Sequence, residues 1–138
     1  MKIMSVDYGD TRTGVAFCDV REMLASAYTV IKETYQPKLV TRLIEIINNE
    51  KPEMVVIGLP RNMDGSYGFR AEKCRELGRL LKSKIDIPID FEDERLTTVI
   101  AHDILSSNNV GGKKRKNTVD AVSAVVILQS YIDKRNKQ

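Results

Sequence analysis

The chain is poor in the side chains that build soft-metal centres and covalent cross-links. Among its 138 residues there are two cysteines, Cys18 and Cys74, and one histidine, His102. The cysteines show no metal-ligand spacing, which speaks against a cysteine-based metal motif. They read as reduced thiols of a cytoplasmic protein rather than as a disulfide. His102 falls on the polar side of its expected helix, away from Leu96, Ile100 and Ile104, and is assigned no role. No window offers the roughly 20 apolar residues that a membrane span requires. Met1-Lys2-Ile3 runs straight into an expected strand, without an apolar leader or cleavage site. There is no internal repeat, and the stretch 108–116 is the one linker-like segment. Charge imbalance is also small: 22 Lys and Arg against 19 Asp and Glu leave a net +3. A polyanionic partner is thus barely favoured by the whole-chain balance, and the distribution of charge says more. What remains, 42% apolar and 30% charged residues, describes one domain over residues 1–138 with a real core and no room for two.

Periodicity predicts an alternation of strands and helices. Ile3–Asp7 reads as a buried strand. Arg12–Phe17 alternates Val15 and Phe17 with the small Gly14 and Ala16, which suggests an antiparallel partner joined through Tyr8-Gly9-Asp10-Thr11. Tyr28–Ile31 adds the third strand of a meander. Pro37 suits the first turn of a helix reaching Asn49, with Leu39, Val40, Leu43, Ile44 and Ile47 as its apolar stripe. Met54–Ile57 is short and β-branched, the pattern of a strand covered on both faces. After a polar loop with a turn at Asp64-Gly65, a helix is expected from Phe69 to Ser83. A short strand follows over Pro88–Phe91, then a helix over Leu96–Leu105. A final amphipathic helix spans Val119–Ile132, with Thr118 as its N-cap. The sum is an α/β layer around a mixed central sheet.

The chemistry lies in carboxylates at the edges of apolar segments. Asp7 closes the first strand, where an ionised group is costly without a cation or hydrogen-bond partners. Gly9, two residues on, permits a sharp turn and a close approach. A lone Asp before Gly is also a common turn former, and both readings stand for Asp7 taken alone. Asp10 reads as solvated. Arg12 could pin the loop or hold a phosphate. Asp93-Glu94-Arg95-Leu96-Thr97-Thr98 joins a strand to a helix. Helix capping accounts for one acid there, while two acids, an arginine and two hydroxyls exceed what capping needs. Asp120 near a helix start has a structural explanation from the helix dipole. Beside Val119, Val122, Val125 and Val126, it could equally aim at the strand end that carries Asp7. Carboxylates converging on shared hard cations suggest metal-dependent hydrolysis of phosphodiesters.

Two further segments bear on substrate. Gly58-Leu59-Pro60-Arg61-Asn62-Met63-Asp64-Gly65-Ser66 lacks the spacing and lysine of a P-loop. It reads either as a substrate-side loop or as a rigid strand-end turn. Gly111-Gly112-Lys113-Lys114-Arg115-Lys116-Asn117 is a flexible basic stretch just before Asp120. A solvated loop explains such a run, and so does phosphate binding with its salt dependence.

Four blocks together resemble the YqgF (RuvX-like) family: Asp7-Tyr8-Gly9 with Arg12-Thr13-Gly14-Val15-Ala16; Gly58 to Gly65; Asp93 to Thr98; and Val119-Asp120-Ala121-Val122-Ser123-Ala124. They span nearly the whole chain. The resemblance implies an RNase H-like fold related to Holliday-junction resolvases: a five-stranded mixed sheet, made of an antiparallel meander plus parallel strands and flanked by helices. It implies a bacterial cytoplasmic nuclease that matures the 5′ end of the small-subunit ribosomal RNA precursor. Junction resolution in recombination is the alternative, and non-catalytic nucleic-acid binding a further one. An actin-like ATPase half ranks last, because such enzymes clamp nucleotide between two domains. Carried over, the acidic positions fall on Asp7, the Asp93-Glu94 pair and Asp120. Asp7, Glu94 and Asp120 are then the expected ligands of two Mg²⁺ or Mn²⁺ ions about 3.5–4 Å apart, with Asp93 supporting Arg95. Arg12, Arg61, Asn62, Arg95, Thr97, Thr98, Lys113, Lys114, Arg115 and Lys116 are the expected substrate contacts. The protein is expected to act as a monomer or homodimer.

Overall fold

The computed structural model describes residues 1–61, 64, 66–93 and 112–137, of which 112–121 by backbone alone. Among the described residues five strands and three helices follow one another: β1 (Ile3–Asp7), β2 (Arg12–Cys18), β3 (Ala25–Lys32), α1 (Gln36–Glu50), β4 (Met54–Leu59), α2 (Phe69–Lys82), β5 (Ile89–Asp93) and α3 (Gly112–Asn136). The sheet order is β3-β2-β1-β4-β5. The β1–β2 and β2–β3 pairs are antiparallel, and the β1–β4 and β4–β5 pairs are parallel. The meander with added parallel strands is therefore the arrangement expected from the periodicity. Among the described residues no helix is long and apolar enough to cross a membrane.

Alternation along the strands sorts side chains to two faces. Met4, Val6, Val15, Val55, Ile57 and Leu59 pack beneath α1 and α2. Ile3, Ala16 and Val56 pack against α3. In β4, Val55, Val56 and Ile57 are all fully buried, as a strand covered on both sides must be. The two cysteines are buried and form no disulfide, and they sit in different halves of the core. In α1, Leu39, Val40, Leu43 and Ile47 form the buried stripe, and Pro lies in the first turn. The helix ends on Lys51 at φ 53°, whose N–H donates to the Ile47 carbonyl at 2.8 Å.

The last helix departs from expectation. It begins at Gly112, so Thr118 lies inside it rather than capping it, and the basic run 113–116 is helical backbone rather than a loop. Lys and Arg propagate helix nearly as well as Ala. Once the packed C-terminal part has nucleated the helix, extension costs little. Its docking face is also set by Ala124, Ile127, Leu128, Tyr131 and Ile132, not by the valines, of which Val122, Val125 and Val126 are half-buried. The expected helix over 96–105 lies outside the described residues.

Polar contacts fix where α3 sits. Ser5 Oγ donates to the Ala124 carbonyl at 2.7 Å in the core. Gln129 accepts from the Ala25 N–H and donates to the Met23 carbonyl. Tyr131 donates to Asp90 at 2.6 Å, and Lys134 pairs with the buried Glu92 at 2.5 Å. Burial, and then the Asp90 carboxylate, push the Tyr131 phenol up to about 12. Arg135 Nε meets Glu22 at 2.7 Å, and the N-terminal ammonium lies 3.5 Å from the same carboxylate. As α3 advances from Ala124 to Arg135, its contacts move from Ser5 in the middle of β1, through Ala25, whose partner Cys18 lies against Ile3, to Glu22 beside Met1. The helix therefore runs antiparallel to β1.

Glu22 holds the left-handed backbone conformation, at φ 54°, which costs a non-glycine residue about 1–2 kcal/mol. Its contacts to Arg135 and Met1 offset that strain. The Arg135 hydrogen bond, first among the causes, holds the Glu22 carboxyl below the ordinary glutamate range. A carboxyl depressed in the folded state stabilises it above the unfolded pKa of about 4.3 and stops doing so as pH falls through the folded value. Glu22→Gln is expected to cost about 1 kcal/mol at neutral pH and nothing well below the folded value. Chemical denaturation of both proteins across the acid limb checks it: a gap that stays constant with pH would contradict the assignment.

Candidate active site at the carboxyl ends of the parallel strands

β1, β4 and β5 run in the same direction, so Asp7, Leu59 and Asp93 all stand at carboxyl ends, the edge where open α/β sheets bind ligands. Val6 pairs with Ile57 and Gly58 with Glu92, so Asp7 is level with Glu92 and Asp93 lies one residue beyond. One strand separates β1 from β5, which places them about 10 Å apart.

The two acids belong to different faces. Ser5 reaches α3, so Asp7, two residues on, takes the α3 side. In β5, Asp90 and Glu92 reach Tyr131 and Lys134 of α3, whereas Phe91 packs under α2. Asp93 shares the side of Phe91. There it pairs with Arg61 at 2.9 Å. The Arg61 guanidinium lies 5.0 Å from the Tyr67 ring, and Arg75 of α2 lies 4.9 Å from the same ring. The Asp93 hydrogen bond raises the pKa of Arg61 above its ordinary value. Asp93 and Arg61, expected on separate grounds as acid and phosphate contact, are thus each other's partners. Alternation in β5 carries the signal for the face of Asp93; the Arg61–Tyr67–Arg75 stack had no signature in the sequence.

Around Asp7 the loop is tight. Gly9 has no room for a side chain: a Cβ there would lie 2.2 Å from the Arg12 carbonyl oxygen. Its N–H points to Thr13 Oγ1 at 3.5 Å. The carbonyl of Tyr8 accepts from Arg70 at 3.4 Å, which ties the residue after Asp7 to the first turn of α2. Asp10 is exposed as expected, near Lys73 at 3.6 Å and Arg70 at 3.9 Å. Gly9→Ala is expected to displace the loop and cost about 1–3 kcal/mol, with a fall in activity larger than the fall in stability explains. Thermal unfolding beside a cleavage assay tests this; a variant with wild-type stability and turnover would refute the close-packing argument.

Arg12 opens β2, opposite Lys32 of β3. The backbone of position 120 lies in α3, one turn before Ala124 and so about 6 Å along the axis. Because α3 runs antiparallel to β1, that turn leads toward the strand end of Asp7. Lys113, Lys114, Arg115 and Lys116 continue the same helix backbone. Asn62, Glu94, Arg95, Thr97 and Thr98 lie outside the described residues, as do the side chains of Asp120 and of the basic run. Among the described residues no group of three or more His, Cys, Asp or Glu gathers. As for the kind of ion, Asp7 offers hard carboxylate oxygens, while both thiols are locked in the core. A carboxylate of this kind suits hard cations rather than a thiolate-bound metal.

A family model described as "RuvX: Holliday junction resolvase" matches residues 1–134. A protein of Heliobacterium modesticaldum named "Putative pre-16S rRNA nuclease" is 42% identical over 133 residues, covering 96% of this chain and 89% of the relative. Its namesake in Halothermothrix orenii is 41% identical over 137 residues, covering 99% and 98%. Among solved structures, Thermus thermophilus RuvC with a Holliday junction substrate superposes with a TM-score of 0.61 at 15% identity, covering 100% of this chain and 97% of that one. The fowlpox virus Holliday junction resolvase gives 0.62 at 12%, covering 98% and 99%. At such identities the likeness shows the fold, and it is the RNase H-like one expected.

Proposed function

Because this chain belongs to the RuvX family, we propose that it is a nuclease that hydrolyses phosphodiester bonds at the carboxyl edge of its sheet. The substrate in this reading is the precursor of 16S ribosomal RNA, the activity named for its relatives at about 40% identity. Residues 1–138 act as one nuclease domain, in the cytoplasm where that precursor is made. The observation that supports the reading best is Asp7 at the end of β1, on the face over which α3 carries position 120.

Asp7, Glu94 and Asp120 would hold Mg²⁺ or Mn²⁺. When bound, such ions activate water and offset charge on the leaving oxygen. Glu94 is preferred to Asp93 as ligand because Asp93 takes the opposite face and is engaged by Arg61. The chain's own part is then positional. Gly9 lets the loop close beneath Asp7, and Ser5 fixes α3 over β1. Asp93 holds Arg61 and its stacked Tyr67 at the rim. Arg12, with Arg95 and the run 113–116, would hold backbone phosphates.

The deciding experiment offers the purified protein, in Mg²⁺ or Mn²⁺, an RNA carrying the immature 5′ end and a four-way DNA junction. Cleavage of the RNA alone supports the reading. Cleavage of the junction alone, by a species of dimer mass in solution, would replace it with resolution. Binding of either without any cut would leave a nucleic-acid-binding module.

A further inference from the structure

β5 is the last strand of the sheet order, and between it and α2 lies an open groove of about 450 Å³. Arg75, Arg79 and Lys82 line it. Their spacing of four and three residues brings them to one side of the helix. The floor is apolar, formed by Ile89 and Phe91 with Gly78. A Cβ at position 78 would lie 2.9 Å from the Phe91 ring, so glycine lets the ring pack closely against α2, while the half-buried ring still lines the groove with its remaining surface. Among the described residues no carboxylate lines the groove, though Glu72 pairs with Arg75 at its border. The groove connects to the strand ends through the contacts already described: Asp93 to Arg61, Arg61 over Tyr67, and Arg75 over the same ring.

We infer that this groove receives the single-stranded flank of the nucleic-acid substrate, a base resting on Phe91 and Ile89 and the phosphates on Arg75, Arg79 and Lys82. The inference rests on the nuclease reading and adds the form of strand that the protein holds. A duplex keeps its bases stacked inside and can seat none on the floor, so nothing lodges its phosphates in the groove. An unpaired strand uses both floor and cations. Three cations on the wall, of which Arg75 is paired with Glu72, favour a polyanion over a neutral apolar peptide.

The test is R79E/K82E in the full chain, both residues being exposed. Binding of a labelled single-stranded oligoribonucleotide is measured by fluorescence anisotropy in EDTA, so that no cleavage intervenes. A blunt duplex and free AMP serve as competitors. The expected results are a loss of about tenfold or more in single-strand affinity and a salt slope shallower by about 1.4, as two lost phosphate contacts give. The duplex should change little and AMP should compete weakly. Cleavage of a minimal substrate too short to enter the groove should be unchanged. Equal single-strand affinity in variant and wild type, or an equal fall for duplex, would overturn the inference. So would AMP displacing the strand at equal concentration, or a wild type that binds no single strand. Normal metal-dependent cleavage beside any of these sinks the groove alone. Groove-dependent binding without cleavage sinks the nuclease reading and leaves the groove.

Discussion

Asp7→Asn is expected to leave a folded protein that still binds its nucleic acid and cuts it at least about a thousandfold more slowly. The substitution keeps the size of the side chain and removes only its charge. What disappears is a carboxylate that would hold the catalytic cations. Several kcal/mol of transition-state charge stabilisation depend on such an ion, and each 1.36 kcal/mol is about tenfold in rate. Asp7 ends β1, where the Val6–Val15 and Val6–Ile57 pairs on either side keep the strand in place whatever residue 7 carries. Stability should therefore stay within about 1 kcal/mol of the wild type, the range of an ordinary partly exposed substitution. Cleavage rate, thermal unfolding and Mn²⁺ titration on the same preparation separate the effects. Undiminished cutting by a nuclease-free sample of the variant would remove Asp7 from the chemistry.

Ile57→Ala should do the reverse. Ile57 is fully buried in β4, at the centre of the half-core that α1 and α2 cover. Its methyl Cδ1 would lie 3.5 Å from a Cβ placed at Gly78, close to where Phe91 seals the helix against the sheet. Truncation leaves a cavity between a strand bonded on both sides and a helix that cannot close in without losing the Phe91 contact. The expected cost is about 2–5 kcal/mol, or roughly 3–4 °C of melting temperature per kcal/mol for a chain of this size. Activity well below the new midpoint should persist, since Asp7 keeps its strand and its loop. A variant that melts within a degree or two of wild type would mean that this half of the core can collapse around the gap.

The two substitutions probe parts of the molecule that were unequally legible. β4 could be read directly, because a short β-branched run has few other places to go than the middle of a sheet. Asp7 was legible for a related reason: an acid that ends such a run needs an explanation. The start of α3 was misread because Thr118 is a competent cap, and local signals cannot weigh a cap against helix propagating back from a packed C-terminal half. Asp93 shows the same limit from another side. Its neighbours in sequence suggested an acidic pair, but its partner Arg61 comes from a loop some thirty residues earlier.

The order of apolar runs and turns along the chain was enough to determine five strands, a mixed sheet and a set of carboxylates at segment ends, because burial and backbone geometry act over a few residues at a time. Which face each acid takes, the antiparallel course of α3 over β1 fixed by Ser5 and Ala124, and the basic groove at the β5 edge were decided only by the tertiary structure. Those depend on contacts between residues up to 119 apart, and their energies exist only once the chain has closed on itself.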